Sequence, residues 1–84
     1  MDFGDALKQV KEGKKACRTG WNGKRMFIYL VSQPLSFKHE QISGNMRRDF
    51  NPAIAMCTAD GTHCIGWLAS QADMLADDWI LVPS

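Results

Sequence analysis

The first thirteen residues carry hydrophobic side chains at helical spacing. These hydrophobic residues are Phe3, Ala6, Leu7 and Val10. Lysine, glutamine and glutamate occupy the opposite face, as in an amphipathic helix that covers a core. Asp2 is suited to cap the start of this helix, and Gly13 is the expected left-handed residue at its end. The pattern therefore predicts a short helix between Met1 and Gly13.

Later stretches have the hydrophobic pattern and the flanking turn residues of β-strands. The predicted strands are 15–18, 25–31, 53–59, 62–67 and 79–82. Asp60-Gly61 predicts a type I′ hairpin between the third and fourth of them. The turn at 19–23 contains two glycines and holds Trp21 at its tip. Trp21 is either a lid over the core or a surface on which a ligand stacks.

The strand at 25–31 is apolar on both faces. Alternation places Met26, Ile28 and Leu30 on one face and Phe27, Tyr29 and Val31 on the other. A strand in a small antiparallel sheet usually has polar residues on its outer face. We therefore expect the helices to cover one face and another subunit or a ligand to cover the second.

A second short helix is predicted between the fourth and fifth strands. Ser70 is a candidate N-cap, and Asp73 can reach back toward it in the manner of a capping box. Met74 and Leu75 are predicted to face inward, and Trp79 is predicted to be a core anchor. The predicted fold is α+β: a small antiparallel β-sheet with a short N-terminal helix and a short helix before the last strand, in a single domain, 1–84.

The segment 32–51 is a long polar connection that contains Pro34, Gly44 and the charged run Arg47-Arg48-Asp49. Connections of this length in small domains are more often functional or mobile than structural filler. We expect its part from 38 to 51 to influence the choice of any ligand.

Composition narrows the classes of function. The chain has 84 residues, 10 basic and 9 acidic, with a net charge of +1, which argues against binding to a nucleic acid polymer. It contains no apolar run of about 18 residues, so no membrane span is expected. Three cysteines without disulfide or zinc spacing favour a reducing, intracellular setting. A 45% apolar composition in so short a chain predicts self-association.

Enzymatic chemistry has weak support in the sequence. Cys57, His63 and Cys64 lie close together, but no third group that would orient a Cys–His pair is evident. Adding His39 does not produce a zinc-binding spacing. Asp77-Asp78 is either a carboxylate pair or a solvated helix end, where an acidic residue opposes the helix dipole. The sequence favours a protein that is not an enzyme and needs no cofactor or metal.

Binding of a nucleotide fits the residue types better. Aromatic faces for stacking a nucleobase are offered by Trp21, Phe27, Tyr29 and Trp67. Positive charge for phosphate, which arginine can bind in a bidentate manner, is offered by Arg18, Lys24, Arg25, Arg47 and Arg48. Each feature also has a structural alternative, because Trp67 can be a core residue and surface arginines are usually only solvated.

Two segments combine tryptophan with small and polar residues: Gly20-Trp21-Asn22-Gly23 and Gly66-Trp67-Leu68-Ala69-Ser70-Gln71. Three further segments match the same pattern in order and at the same chain length: 2–7, 52–56 and 58–61. The chain thereby resembles the small phage and prophage domain family that includes the second type of Thoeris anti-defence protein. The resemblance covers nearly the whole chain.

The resemblance implies a homotetrameric sponge in the host cell cytoplasm. Such proteins sequester glycocyclic ADP-ribose without degrading it, so the Thoeris effector is not activated, and cyclic dinucleotides are second candidate ligands. Within that interpretation Trp21 and Trp67 are expected to stack on the ligand, Asn22 to make a polar contact at the turn, and Phe27 and Tyr29 to line the pocket. Arg25 and Arg48 are expected to bind phosphate, and Ser70 and Asp73 to contact ribose or base. The predicted ligand-binding residues are Trp21, Asn22, Arg25, Phe27, Tyr29, Arg48, Trp67, Ser70 and Asp73. Alternatives are a protein-interaction module that inhibits a host protein and an enzyme that degrades the signal.

Overall fold

The computed structural model describes residues 1–21, 25–32 and 51–83. Its described elements are α1 (Phe3–Lys11), β1 (Lys15–Arg18), β2 (Phe27–Val31), β3 (Ala53–Cys57), β4 (His63–Ile65), α2 (Gln71–Leu75) and β5 (Trp79–Val82). The predicted α+β fold is confirmed. Three predictions lie outside the described residues: the ligand contacts of Asn22 and Arg48, and the role of 33–50.

The five strands form one antiparallel sheet in the order β4-β3-β2-β1-β5. Ile28 of β2 lies opposite Ala16 of β1 and Met56 of β3, and Cys17 of β1 lies opposite Ile80 of β5. The last strand of the chain therefore pairs with the first. This pairing brings the α2–β5 segment beside the turn that follows β1.

Helix α1 covers one face of the sheet and forms the core with it. Ala6 and Val10 of the helix are fully buried, as are Ile28 and Trp79 of the strands beneath it. Asp2 caps the helix by accepting a hydrogen bond from the backbone N–H of Asp5 at 2.8 Å. Gly13 ends it with a φ of 95°. The predicted helix caps and the prediction that Trp79 anchors the core are confirmed.

The other face of the sheet, here called the open sheet face, carries a largely apolar set of side chains. By strand register this face consists of Lys15, Cys17, Phe27, Tyr29, Val31, Ala53, Ala55, Cys57, His63, Ile65, Ile80 and Val82. In the described part of the chain, no helix packs against it.

Neither described helix is long and apolar enough to cross a membrane.

The β3–β4 hairpin differs from the predicted type I′ turn. A type I′ turn needs positive φ at both central residues, but Arg25 is the one described non-glycine residue with positive φ, so Asp60 does not qualify. Instead, Thr58 and Thr62 flank a three-residue loop in which Gly61 alone is left-handed, with φ 89°. Asp60 accepts hydrogen bonds from the backbone N–H and the hydroxyl of Thr62. This local bonding favours the longer loop over the two-residue turn.

The prediction that Met74 and Leu75 face inward is wrong. Leu75 is 83% exposed and Met74 is also exposed. Helix α2 has only five residues, and Asp73 takes the inward position through bonds to β1 and β5. The orientation of this one-turn helix is set by the hydrogen bonds of the Asp73 carboxylate and not by the burial of apolar side chains.

Candidate functional site

Three tryptophans meet where the turn after β1, the segment after β4 and the start of β5 come together. We call this cluster of Trp21, Trp67 and Trp79 the tryptophan corner. The centroid of the Trp21 ring lies 5.2 Å from the centroid of Trp79 and 6.3 Å from that of Trp67, with interplanar angles of 80° and 74°. Trp79 is fully buried, whereas Trp21 and Trp67 are partly exposed. Edge-to-face packing on a buried ring thus supports a partly exposed aromatic surface.

Asp73 of α2 ties the corner together. Its Oδ1 accepts a hydrogen bond from Trp21 Nε1 at 3.0 Å and one from Arg18 Nη1 at 2.8 Å. Its backbone carbonyl accepts a hydrogen bond from Trp79 Nε1 at 3.0 Å. Ser70 caps the helix by accepting a hydrogen bond from the backbone N–H of Asp73, as predicted. One residue of a short helix therefore contacts two tryptophans and strand β1.

Asp78 anchors the turn on which Trp21 stands. Its Oδ1 accepts a hydrogen bond from Arg18 Nε at 2.8 Å, and its Oδ2 accepts one from the backbone N–H of Gly20 at 2.8 Å. The hydroxyl of Thr19 donates to the same Oδ2. A Cβ atom on Gly20 would lie 2.9 Å from that oxygen, so any other residue there would require the Asp78 carboxylate to shift from its present bonds. The Asp78 carboxylate therefore holds the turn to β1 through bonds to three residues.

The corner carries more negative than positive charge. Arg18 faces two carboxylates, Asp73 and Asp78, which leaves a formal charge of −1 on the three side chains. Burial alone would raise the pKa of Asp73, but hydrogen bonds from Arg18 and Trp21 hold its pKa below the ordinary value. The hydrogen bond from Arg18 likewise lowers the pKa of Asp78. The guanidinium is thus already engaged, and the corner is a poor place for a phosphate group.

A second aromatic group lies on the open sheet face. The rings of Phe27 and Tyr29 are 5.7 Å apart, and the Tyr29 hydroxyl lies 2.6 Å from His63 Nδ1. The ammonium of Lys15 lies 4.7 Å from the centre of the Phe27 ring. The sequence interpretation did not include Lys15 or His63 in the site. Strand pairing brings them there, and the alternation of each strand alone could not reveal that pairing.

Six of the predicted ligand-binding residues fall into two groups. Trp21 and Trp67 are part of the tryptophan corner, and Ser70 and Asp73 lie beside it at the start of α2. Phe27 and Tyr29 lie on the open sheet face, on the other side of the sheet from the buried ring of Trp79. Arg25 precedes β2, is exposed and has a φ of 67°.

The sequence also placed Arg18 among possible phosphate contacts, whereas the structure pairs it with Asp73 and Asp78. Its two partners lie 55 and 60 residues away along the chain. No local motif could have identified that pairing.

The candidate catalytic cysteines are separated by the sheet. Cys57 lies opposite His63 on the open sheet face, whereas the adjacent Cys64 lies on the other face. Burial, with a smaller contribution from Asp78, raises the pKa of the Cys17 thiol, which disfavours a reactive thiolate. Among residues 1–21, 25–32 and 51–83, no group of three or more histidines, cysteines and acidic residues is arranged to hold a metal ion.

A surface concavity of about 510 Å³ lies at the far end of β1 and β5. It is lined by Gly13, Lys14, Lys15, Leu81, Val82 and Pro83. None of these is a predicted ligand-binding residue. We therefore centre the candidate site on the tryptophan corner, where four predicted residues meet.

Comparison with known proteins places the chain in a class, the small phage anti-defence proteins. Within that class, the chain belongs to the family described as the Thoeris anti-defense 2-like domain, which matches residues 1–82. It is 36% identical over 92 residues to Thoeris anti-defense 2 of Bacillus phage SP01, an alignment that covers 98% of this chain and 94% of that protein. The resemblance seen in the tryptophan segments is confirmed, and the role of the chain is phage anti-defence.

Proposed function

We propose that the protein is a sponge: it binds a cyclic nucleotide immune signal in the host cell cytoplasm and holds it without degrading it. The proposed ligand is glycocyclic ADP-ribose, with cyclic dinucleotides as second candidates. Removal of the free signal would leave the Thoeris effector inactive. A sponge needs affinity and stoichiometry, and it needs no catalytic group.

The observation that carries the proposal is the fixed, partly exposed ring of Trp21. Its indole N–H is bonded to Asp73, and its edge contacts Trp79 and Trp67. A ring that is already oriented loses little conformational freedom when a base stacks on it. Stacking of a base on an aromatic side chain contributes about 1–3 kcal/mol. The tryptophan corner is therefore the proposed site for the adenine of the ligand.

Charge indicates where the phosphates would lie. The excess carboxylate at the corner repels a diphosphate, and Arg18 is occupied by its two aspartates. Arg25 is exposed and follows the same turn as Trp21. We propose that Arg25, together with Arg48, binds the phosphates, while the hydroxyl of Ser70 can donate to a ribose oxygen.

Self-association as a homotetramer is the second part of the proposal. The open sheet face presents Phe27, Tyr29 and Val31 without a described helix against it. Apolar patches of this kind on small proteins commonly mark contacts with other chains. We propose that this face is a subunit contact and that Phe27 and Tyr29 line a ligand pocket formed in the assembly.

A protein-interaction module is the alternative, and one observation favours it. Leu68 is 88% exposed and Leu75 is 83% exposed, beside the tryptophan corner. Exposed leucines next to aromatic rings are typical of a contact with a protein partner. This alternative predicts that the leucines matter more than Trp21.

Calorimetric titration of three purified forms with glycocyclic ADP-ribose separates these functions. We expect saturable binding by the unmodified protein, a loss of roughly tenfold or more in affinity for Trp21→Ala, and unchanged affinity for Leu75→Ala. Assembly, measured by light scattering, should be equal in all three. Absence of binding by the unmodified protein, together with co-purification of a host protein that depends on Leu75, would instead support the interaction module.

A further inference from the structure

Asp73 has the bonding of a residue that positions its neighbours. Its side chain is only 14% exposed. Its backbone N–H donates to Ser70, its backbone carbonyl accepts from Trp79, and its Oδ1 accepts from Arg18 and Trp21. Asp73 therefore bonds to four neighbouring residues through its backbone N–H, its backbone carbonyl and Oδ1.

The hydrogen bond from Trp21 Nε1 to Asp73 Oδ1 fixes the orientation of the indole ring. An indole has a single N–H, so its only hydrogen bond defines how the ring is rotated about its side-chain torsions. The edge contacts with Trp67 and Trp79 restrict the ring on two further sides. Without an acceptor at Asp73, the contacts alone would leave the N–H free to turn toward solvent.

The acceptor is itself held in place by a chain of charged groups. Arg18 binds Asp73 through Nη1 and Asp78 through Nε, so its planar guanidinium spans the two carboxylates. Asp78 also binds the backbone of Gly20, next to Trp21 in the turn. The ring of Trp21 is thus anchored through its indole N–H, and its backbone is anchored through the preceding residue.

We infer that Asp73, oriented by Arg18, is a positioning residue that sets the ring plane of Trp21. This assigns Asp73 a role besides the ribose or base contact expected from the sequence. The effect on ligand affinity rests on the proposed function, whereas the orientation of Trp21 does not depend on it. The two can therefore be tested separately.

The test uses the indole N–H signals of the ¹⁵N-labelled protein in ¹H–¹⁵N correlation spectra, assigned with single Trp→Phe variants. Asp73→Ala removes the carboxylate but keeps the backbone groups that bind Ser70 and Trp79. The Trp79 signal is therefore an internal control for the folding of α2. We expect the Trp21 signal to shift and to exchange faster with water in Asp73→Ala, while the Trp79 signal stays in place.

Asp73→Asn is the conservative control, because its side-chain carbonyl can still accept from Trp21. We expect it to restore most of the Trp21 signal position. If Asp73→Ala fails to fold, as shown by loss of the Trp79 signal, Arg18→Gln provides the second variant. It leaves the Trp21 acceptor in place but unsupported, and it should accelerate Trp21 exchange by a smaller factor.

Affinity for glycocyclic ADP-ribose provides the second readout. Asp73→Ala should weaken binding by about two- to tenfold, because the Trp21 ring would have to be ordered when the ligand binds, and Asp73→Asn should recover most of it. An unchanged Trp21 signal in Asp73→Ala or Arg18→Gln would overturn the positioning role. A shifted Trp21 signal in a protein that binds no signal nucleotide would support that role and contradict the proposed function.

Discussion

At the scale of single residues, Arg25 has an unfavourable backbone conformation at a proposed ligand contact. Its φ of 67° lies in the left-handed region, which costs a non-glycine residue of order 1–3 kcal/mol. Asparagine tolerates this region better than other non-glycine residues. A charged residue in this conformation is consistent with a role of its side chain in binding.

The first prediction concerns Arg25→Asn. We expect its thermal stability to equal or exceed that of the unmodified protein, because the new residue suits the backbone. Affinity for glycocyclic ADP-ribose should fall, because a phosphate partner is lost, and Arg25→Lys should retain part of it. Thermal unfolding and calorimetric titration check both effects. Equal affinity in Arg25→Asn would remove Arg25 from the site.

The second prediction concerns acid stability. Hydrogen bonds from Thr58 and Thr62 lower the pKa of Asp60 to about 2, and the pKa values of Asp73 and Asp78 are also lowered. A carboxyl whose pKa is lower in the folded than in the unfolded state stabilises the fold above its unfolded value, about 3.9. That stability is lost as the pH falls through the folded value.

We therefore expect the free energy of unfolding in urea to decrease steeply below about pH 4. The double variant Asp73→Asn, Asp78→Asn should have lower stability at neutral pH and a shallower decrease, with Asp60 accounting for the remainder. The same slope in both proteins would show that these two carboxylates do not contribute to acid unfolding.

At the scale of elements, the sequence predicts those that rely on local signals. Asp2, Gly13 and Ser70 end or begin helices through bonds within a few residues, and the structure confirms all three. The apolar pattern misplaced Met74 and Leu75, because α2 is held by long-range bonds to Arg18 and Trp79. Such bonds leave no periodic pattern in the sequence.

The separation of the predicted ligand-binding residues between the tryptophan corner and the open sheet face also depends on contacts that are distant in sequence. The sequence identified the aromatic residues but could not give the strand order, which puts Tyr29 beside His63 and on the face away from Trp79. The aromatic candidates could therefore be identified from the sequence, whereas their distribution over two surfaces could not be predicted from it.

The third prediction tests the turn that carries Trp21. Gly20→Ala should lower the free energy of unfolding by about 1–3 kcal/mol, because its Cβ would lie 2.9 Å from Asp78 Oδ2. Gly4→Ala is the matched control: its Cβ would lie at an ordinary 3.5 Å from Asp2 Oδ1, and alanine is the better helix former by up to about 1 kcal/mol. Urea unfolding measures both. Equal stability of the two variants would contradict the close approach of Asp78.

At the scale of the whole molecule, the two faces of the sheet have different roles. One is filled by α1 and Trp79, and the other carries apolar side chains against which neither described helix packs. Proteins of this size gain stability by association because their own cores are small. That difference supports the proposal that the open sheet face is a subunit contact.

The fourth prediction is that Val31→Lys on the open sheet face dissociates the assembly. A buried lysine ammonium without a partner is strongly unfavourable at a subunit contact. Light scattering should give the mass of four chains for the unmodified protein and a smaller mass for the variant. Leu75→Lys, which adds the same charge at an exposed site on α2, should keep the tetramer. A tetrameric Val31→Lys would place the subunit contact elsewhere.

The central claim is sequestration without degradation, and recovery of the ligand tests it most directly. The protein is saturated with glycocyclic ADP-ribose, freed of unbound ligand by gel filtration and denatured by heat, and the released nucleotide is analysed by chromatography and mass spectrometry. We expect release of the intact ligand in a fixed ratio to protein, with little retained by Trp21→Ala. Recovery of a hydrolysed product, or of no nucleotide at all, would contradict it.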